Sequence, residues 1–256
     1  MPQPSMNKTL FISDLHLHES RPQVTRAFFH FLDTTAKNAA ALYILGDFFD
    51  AWIGDDDDQP LVTEVGSALH HLAADKTKIY LMHGNRDFLL GESFANRAHA
   101  TIIPDETCID LYGTKTLLLH GDNLCTADED YMQFRAMVRN PVWQEQFLSQ
   151  SLATRRTIAT ELRNKSESMN SLKADDILDV TPGEVESVFI RHQVQRMIHG
   201  HTHRPAHHTH LINNQKCERI VLGDWHDSFW YVYADANEIK LIKENTETFA
   251  QNLFNS

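Results

Sequence analysis

The chain has 256 residues, 42% of them apolar, and its 35 acidic against 23 basic residues give a formal charge of −12. That length is enough for a sizeable core, either in one large α/β domain with an insertion or in two small domains, and the composition excludes disorder over most of it. A mean hydropathy of −0.39 and the lack of any run of about 18 apolar residues exclude a transmembrane helix, and the net acidity argues against tight duplex nucleic-acid binding.

The opening stretch, MPQPSMNKTLFIS, has no basic patch leading into an apolar segment, so the sequence predicts no secretory signal and a cytosolic protein. Short apolar runs ending in polar clusters then recur along the chain. They are TLFIS (9–13), ALYILGD (41–47), KIYLMHGN (78–85), TLLLHGD (116–122), QRMIHGH (195–201) and RIVLGD (219–224). Each reads as a buried strand. Helical stretches at Val24 to Lys37 and Leu61 to Ala74 separate the first three, which is the alternation of an α/β fold. Near the end, WYVYA and EIKLI flank Asp235-Ala236-Asn237 and predict an antiparallel hairpin, with a frayed tail over the last dozen residues.

From about Asp128 to Lys173 the alternation stops. Tyr131, Phe134 and Val138 recur at helical spacing, as do Trp143, Phe147 and Leu148, so a helical insertion, a lid over about 125–180, is expected within a single domain spanning 1–256. Between Tyr131 and Lys173 the basic residues Arg135, Arg139, Arg155, Arg156, Arg163, Lys165 and Lys173 outnumber Glu145, Glu161 and Glu167 by four. A positive, partly aromatic lid on an acidic body points to an anionic, partly apolar ligand or an anionic membrane surface.

Five of the predicted strands end in side chains that bind metals: Asp14 and His16, Asp47, Asn85, His120, and His201 with His203. Loops beyond strand C-termini are where an open α/β sheet places its sites. Seven N/O donors exceed one tetrahedral ion and suit two ions sharing a carboxylate, for which Asp47 has the two oxygens required. A His/Asp/Asn set without thiolate favours Mn²⁺, Fe²⁺ or Zn²⁺. The cysteines, Cys108, Cys125 and Cys217, fit neither a disulfide framework nor a CxxC site.

In this order the fragments resemble the signature of the calcineurin-like metallophosphoesterases: D14-L-H16, G46-D-F-F-D50, G84-N-R-D87, H120-G-D and G200-H-T-H203. The resemblance implies a four-layer α/β/β/α sandwich of two mixed sheets with the helical lid inserted. It also implies two divalent metal ions, Mn²⁺ the foremost candidate. One would be held by Asp14, His16, Asp47 and His203, the other by Asp47, Asn85, His120 and His201.

Where many members of that family carry a histidine after the GN pair, this chain carries Arg86. A guanidinium does not act as a general acid at neutral pH, but it pairs with phosphoryl oxygens and stabilises charge in a transition state. Such a site favours a leaving group that needs no proton, as a phosphate does, and therefore pyrophosphate cleavage. LGDFFDAWIGDD, GNRD and HGHTHRP, with the insertion, resemble more narrowly the UDP-2,3-diacylglucosamine diphosphatase subfamily of lipid A biosynthesis. That resemblance implies water attack at the α-phosphorus, giving UMP and 2,3-diacylglucosamine 1-phosphate (lipid X). Asp47, Asn85, Arg86 and His201 would be the catalytic residues, and Asn85, Arg86, Asp128, Ser166, Asn170, Lys173 and His201 the substrate contacts. It further implies peripheral attachment to the cytoplasmic face of the inner membrane, with no nucleic acid and no obligate protein partner. The alternative is another metal-dependent phosphodiesterase or nucleotide pyrophosphatase.

Among the remaining polar residues, Asp50, Asp87 and Asp122 are candidates for orienting the ligands, His199 for touching metal or substrate. The run Asp55 to Asp58 reads as a solvated loop, His207, His208 and His210 as a strand or loop past the site, and Trp52 and Trp225 as packing anchors.

Overall fold

A computed structural model describes residues 8–170 and 177–245, with side chains left aside over 165–170. A first sheet has the strand order β11-β10-β1-β2-β3-β4, and a second the order β5-β6-β7-β9-β8. In the first, β1 (Thr9–Ile12), β2 (Ala41–Leu45), β3 (Lys78–Met82) and β4 (Ala100–Ile102) run parallel, and the hairpin of β10 (Ser228–Ala234) and β11 (Ile239–Asn245) joins β1 antiparallel. In the second, β6 (Thr114–Leu118), β7 (Arg196–His199) and β9 (Gln215–Val221) are parallel, flanked antiparallel by β5 (Thr107–Leu111) and β8 (Ala206–Ile212).

Side chains on a strand alternate between faces, and here both faces are covered, which is why the runs read as continuously apolar. Phe11, Leu45, Leu118 and Ile198 pack with Met82, Ile220 and Val232 in a core between the sheets. Their strand neighbours face outward. Leu10, Ile12, Leu42 and Ile44 meet α1 (Pro22–Asp33), α2 (Pro60–Ala74) and α3 (Glu92–Ala98) in a second core, and Leu117 and Met197 meet α7 (Pro182–His192) in a third. The layers are helix, sheet, sheet, helix, a four-layer sandwich.

The first core closes on aromatic rings. Trp225, fully buried, stacks edge-on to Phe31 at 5.6 Å between ring centroids, lies 4.7 Å from Phe229, and gives its indole N–H to Trp230 O. Trp225 N also donates to Asp14 O, so this packing anchor supports a loop of the site as well.

The six predicted strands and the hairpin stand where expected, and His207, His208 and His210 fall on β8. The sequence reading missed α3, α7, β4 and β5 and left β8 open between strand and loop: β4 is three residues long, and β5 and β8 are half-exposed outer strands rich in polar residues. In the segment expected to be helical lie α4 (Glu129–Val138), α5 (Pro141–Leu148) and α6 (Leu152–Asn170). Asp128 and Asn140 cap α4 and α5 by accepting from Tyr131 N and Val142 N, and Pro141 opens α5 at the position that needs no N–H. The expected tail lies outside the described residues.

Trp225→Ala should destabilise the fold by about 3 to 5 kcal/mol, the usual cost of emptying a buried aromatic site, seen as a lower denaturation midpoint at unchanged slope.

Candidate active site

The seven candidate ligands stand just past the ends of β1, β2, β3, β6 and β7 and converge between the two sheets. Asp14, His16, Asp47, His201 and His203 all have positive φ, from 49° to 67°. Residues with side chains adopt this left-handed backbone at a cost, and several together mark a site whose surroundings over-determine it. The supports are visible. Asp14 N donates to Gly46 O and His16 N to Asp47 O, tying the first loop to the second, while His201 N donates to both Asp14 oxygens at 3.0 and 3.2 Å. Glycine is required at the crossings: a Cβ on Gly84 would overlap Asp47, and one on Gly200 would overlap Asp14 and Ser13.

Asp87 is the main clamp. Almost fully buried, its carboxylate accepts from Gly84 N at 2.7 Å, Phe48 N at 2.7 Å and Asp47 N at 3.3 Å, binding the loops after β2 and β3 together. His199, fully buried, lies 2.9 Å from Gly200 O through Nδ1 and 3.1 Å from Arg219 through Nε2. It therefore braces the HGH turn with both nitrogens already partnered.

Asp14, His16 and His203 form one cluster of ligand atoms, and Asp14, Asp47 and His120 another. His16 Nε2 and His203 Nε2 are 3.3 Å apart, and Asn85 Oδ1 is 2.9 Å from His120 Nε2 and 2.8 Å from His201 Nδ1. His120 gives Nδ1–H to Leu45 O at 2.9 Å, which turns the Nε2 lone pair into the site. His16 Nδ1 is buried with no hydrogen-bond partner among the described residues.

The electrostatics call for positive charge. Burial pushes the Asp47 carboxyl above the usual range, whereas Asp14, which burial also opposes, is held below it by the hydrogen bond and charge of His203 with help from His120 and His16. Burial disfavours the His120 cation, yet Asp47, Asp14 and Asp122 outweigh it and raise its pKa to about 9. His201 is lowered to about 4 by burial and the neighbouring His120. Buried carboxylates facing imidazole lone pairs are a donor set that fits divalent metal ions.

Arg86 bridges this floor to the surface. Its N–H donates to Asp47 Oδ1 at 2.9 Å, Nε lies 3.4 Å from Asp47 Oδ2, and one guanidinium nitrogen bonds Asp50 at 2.8 Å. Arg163 of α6 reaches the same Asp50 oxygen at 3.0 Å.

Above Arg86 opens a cleft of about 410 Å³. Its inner end is Asp47, Asn85, Arg86, His201 and His203, and its walls are Trp52, Phe88, Leu89, Phe134, Trp143, Phe147 and Leu162. Polar chemistry at one end and aromatic walls at the other suit a ligand of the same division.

Ion pairs hold two of the three inserted helices, α4 and α6, over the cleft, and α5 packs by Trp143 and Phe147 on the first core, which amends one expectation. The acidic run is solvated only in part, at Asp56 and Asp58, and all four of its carboxylates have partners. Asp55 accepts from Gly91 N and Phe94 N at the start of α3 and from the Trp52 indole, Asp56 pairs with the buried Arg155, and Asp57 and Asp58 pair with Arg156. On α4, Tyr131 OH and Arg135 bond the fully buried Asp122 at 2.6 and 2.8 Å, and Arg139 bonds Gly84 O at 3.1 Å. Much of the lid's positive charge thus turns inward.

Tyr131 is a residue of the site that sequence reasoning missed as such. Helical spacing marked it as apolar packing, but its ring lies 5.9 Å from that of His201 and its hydroxyl is on Asp122, two residues beyond His120. Asp128 is buried at the α4 cap. Of the other expected substrate contacts, Ser166 and Asn170 lie on the last turns of α6 where side chains are not described, and Lys173 lies outside the described residues.

Residues 8–205 match the model of the calcineurin-like phosphoesterases, and the chain belongs to that family. Within it, several similar relatives carry one name. A protein of Cellvibrio japonicus named UDP-2,3-diacylglucosamine hydrolase is 58% identical over 91% of this chain and 97% of its own. Proteins of the same name from Hahella chejuensis and Pseudomonas aeruginosa are 50% and 52% identical, covering 94% and 89% of this chain and 99% and 95% of theirs.

Arg155→Ala removes the bonds to Asp56 and Ile53 O that root α6. Amide exchange across α6 should accelerate on the order of tenfold or more, the scale set by losing charged hydrogen bonds, while β1 to β3 keep their protection in the same mass-spectrometric experiment.

Proposed function

We propose that this protein is the enzyme that hydrolyses the pyrophosphate bond of UDP-2,3-diacylglucosamine in lipid A biosynthesis, releasing UMP and 2,3-diacylglucosamine 1-phosphate. The observation that carries the reading is the joining of Asp47, Asn85, His201 and His203, four of the seven N/O donors, and Arg86 to an aromatic-walled cleft of about 410 Å³. That arrangement meets a phosphate at one end and acyl chains at the other, and relatives at 50% identity and above bear the matching name.

Two divalent ions, Mn²⁺ in the first place, would be held by Asp14, His16, Asp47 and His203 and by Asp47, Asn85, His120 and His201. When bound, such ions lower the pKa of water towards neutrality and neutralise phosphoryl charge. Asp47 would belong to both sets, and Asp87 keeps that carboxylate in place through the backbone on either side of it. Asn85 and His201 sit at the inner end of the cleft, where they orient the α-phosphorus for in-line attack by water.

Arg86, anchored on Asp50, presents its fixed charge to the same phosphoryl oxygens as negative charge builds on them. The departing sugar phosphate leaves as an anion and needs no proton from the protein. Trp143, Phe147 and Leu162 shield the acyl chains from water, each buried methylene contributing about 0.8 kcal/mol.

Contact with a membrane surface falls to the lid. Met137, Val142 and Leu148 on α4 and α5 are exposed apolar side chains beside the cleft, placed to dip into an interface and pass a lipid inward. No helix among the described residues is long and apolar enough to cross a membrane.

The test is mass spectrometry of the products formed from UDP-2,3-diacylglucosamine in H₂¹⁸O, with Mn²⁺ and with EDTA. Metal-dependent ¹⁸O in UMP and none in the sugar phosphate is the expected outcome; label in the sugar phosphate moves attack to the β-phosphorus and defeats the mechanism. Arg86→Ala should lower kcat by about 100-fold or more with a smaller change in KM, the pattern of an interaction made in the transition state. A change confined to KM would make Arg86 a binding residue only.

A further inference from the structure

A second cavity, of about 690 Å³, opens on the other side of the same site. The two cavities share a ridge formed by Asp50, Ala51, Arg86, Ala159, Arg163 and His203, with α6 passing over it. Asn85 and His201 border the aromatic cleft and not this basin, whereas His16 borders the basin and not the cleft. The candidate metal ligands therefore open into both cavities, and a ligand centred on them extends two ways.

The basin differs from the cleft in its walls: Phe49 is its one aromatic ring besides histidine, where the cleft has six. Away from the ridge, His18, Arg21, Gln59, Arg156 and Thr160 stand among aliphatic residues such as Leu61 and Val62 and the acids Asp57 and Asp224. Arg21 is fixed in place by bonds to Trp225 O at 2.5 Å and His16 O at 3.4 Å, so its wall is formed in advance of any ligand. On the ridge, Arg86 and Arg163 converge on one oxygen of Asp50, placing two guanidiniums where a chain of phosphates would cross from one cavity to the other.

We propose that this basin is the nucleoside subsite: the ribose and pyrimidine of the substrate lie in it, between Arg21 and α6, while the acylated sugar lies in the cleft. The proposal rests on the substrate reading above and adds where each half goes. A nucleoside diphosphate joined to a diacyl sugar has one end that must avoid water and one that needs hydrogen-bonding groups beside a flat apolar base; the aromatic cleft suits the first, and the mixed walls of the basin, with Arg21, Gln59 and Arg156 among aliphatic residues, suit the second. The volume is in the range of small-molecule sites, about 300 to 1,000 Å³. Gln59, half-buried at the basin wall, carries a donor and an acceptor on one carboxamide, the pair that a pyrimidine imide edge requires.

Thr160 is exposed on α6 and lines the basin but not the cleft, so Thr160→Trp fills the basin from a helix surface that tolerates it. Calorimetric titration of UMP into the Mn²⁺-loaded variant should show affinity reduced by about tenfold, or about 1.4 kcal/mol. KM for UDP-2,3-diacylglucosamine should rise in parallel, with inhibition by 2,3-diacylglucosamine 1-phosphate and by inorganic phosphate unchanged. Gln59→Ala, a truncation, should also weaken UMP and spare the sugar phosphate, and it carries the test if the tryptophan variant does not fold. Unchanged UMP affinity in folded variants overturns the proposal, as does a loss falling on the sugar phosphate instead. Failure of the wild-type protein to turn over UDP-2,3-diacylglucosamine would sink the substrate reading; UMP binding that the basin variants still abolish would leave the nucleotide subsite standing.

Discussion

Two carboxylates, Asp14 and Asp47, lie side by side and almost fully buried in the interior, and the rest of the molecule is arranged around that problem. Like charges brought together under burial disfavour one another unless positive charge lies between them. His120 and His203 are both drawn towards the cationic form by these carboxylates. The strained backbone at five of the seven ligands follows from the same demand, because side chains from separate strands must meet within a few ångströms. Asp87 makes the arrangement tolerable by giving the crowded backbone N–H groups a common acceptor.

The lid is not an independent appendage. Asp122, two residues past a candidate ligand, is its attachment point through Tyr131 and Arg135, and Asp50, on the loop after β2, receives both Arg86 of the body and Arg163 of the lid. Position of the lid and shape of the site are therefore coupled through a few charged contacts, partly screened from solvent, whose strength depends on burial more than on number. The aromatic walls of the cleft come from both partners, Trp52 and Phe88 from the body, Trp143 and Phe147 from the lid.

Legibility in the sequence followed burial. β1, β2, β3, β6, β7 and β9 are covered on both faces, and their unbroken apolar runs ending in ligand residues could be read directly. β5 and β8 carry polar residues at alternate positions on an outer edge and left no such trace. The spacing of Tyr131, Phe134 and Val138 disclosed a helix but not that the tyrosine hydroxyl serves Asp122, since a phenol's partner is fixed only by tertiary packing. The acidic run was read only in part for a related reason: composition reports how many charges a segment carries, whereas the partners of Asp56, Asp57 and Asp58, Arg155 and Arg156, lie 98 or 99 positions away in the chain.

That separation bears on how the molecule can be taken apart. The helices over the cleft have the outline of a cassette, bounded by Asp128 and the start of α7, for exchange between homologous chains. The cassette is keyed, however, by Asp55 to Asp58, a segment outside its own boundaries that also caps α3. A chimera that transplants residues 129–170 alone brings the arginines without their acceptors. The transferable module is discontinuous, two stretches of chain that have to be exchanged together.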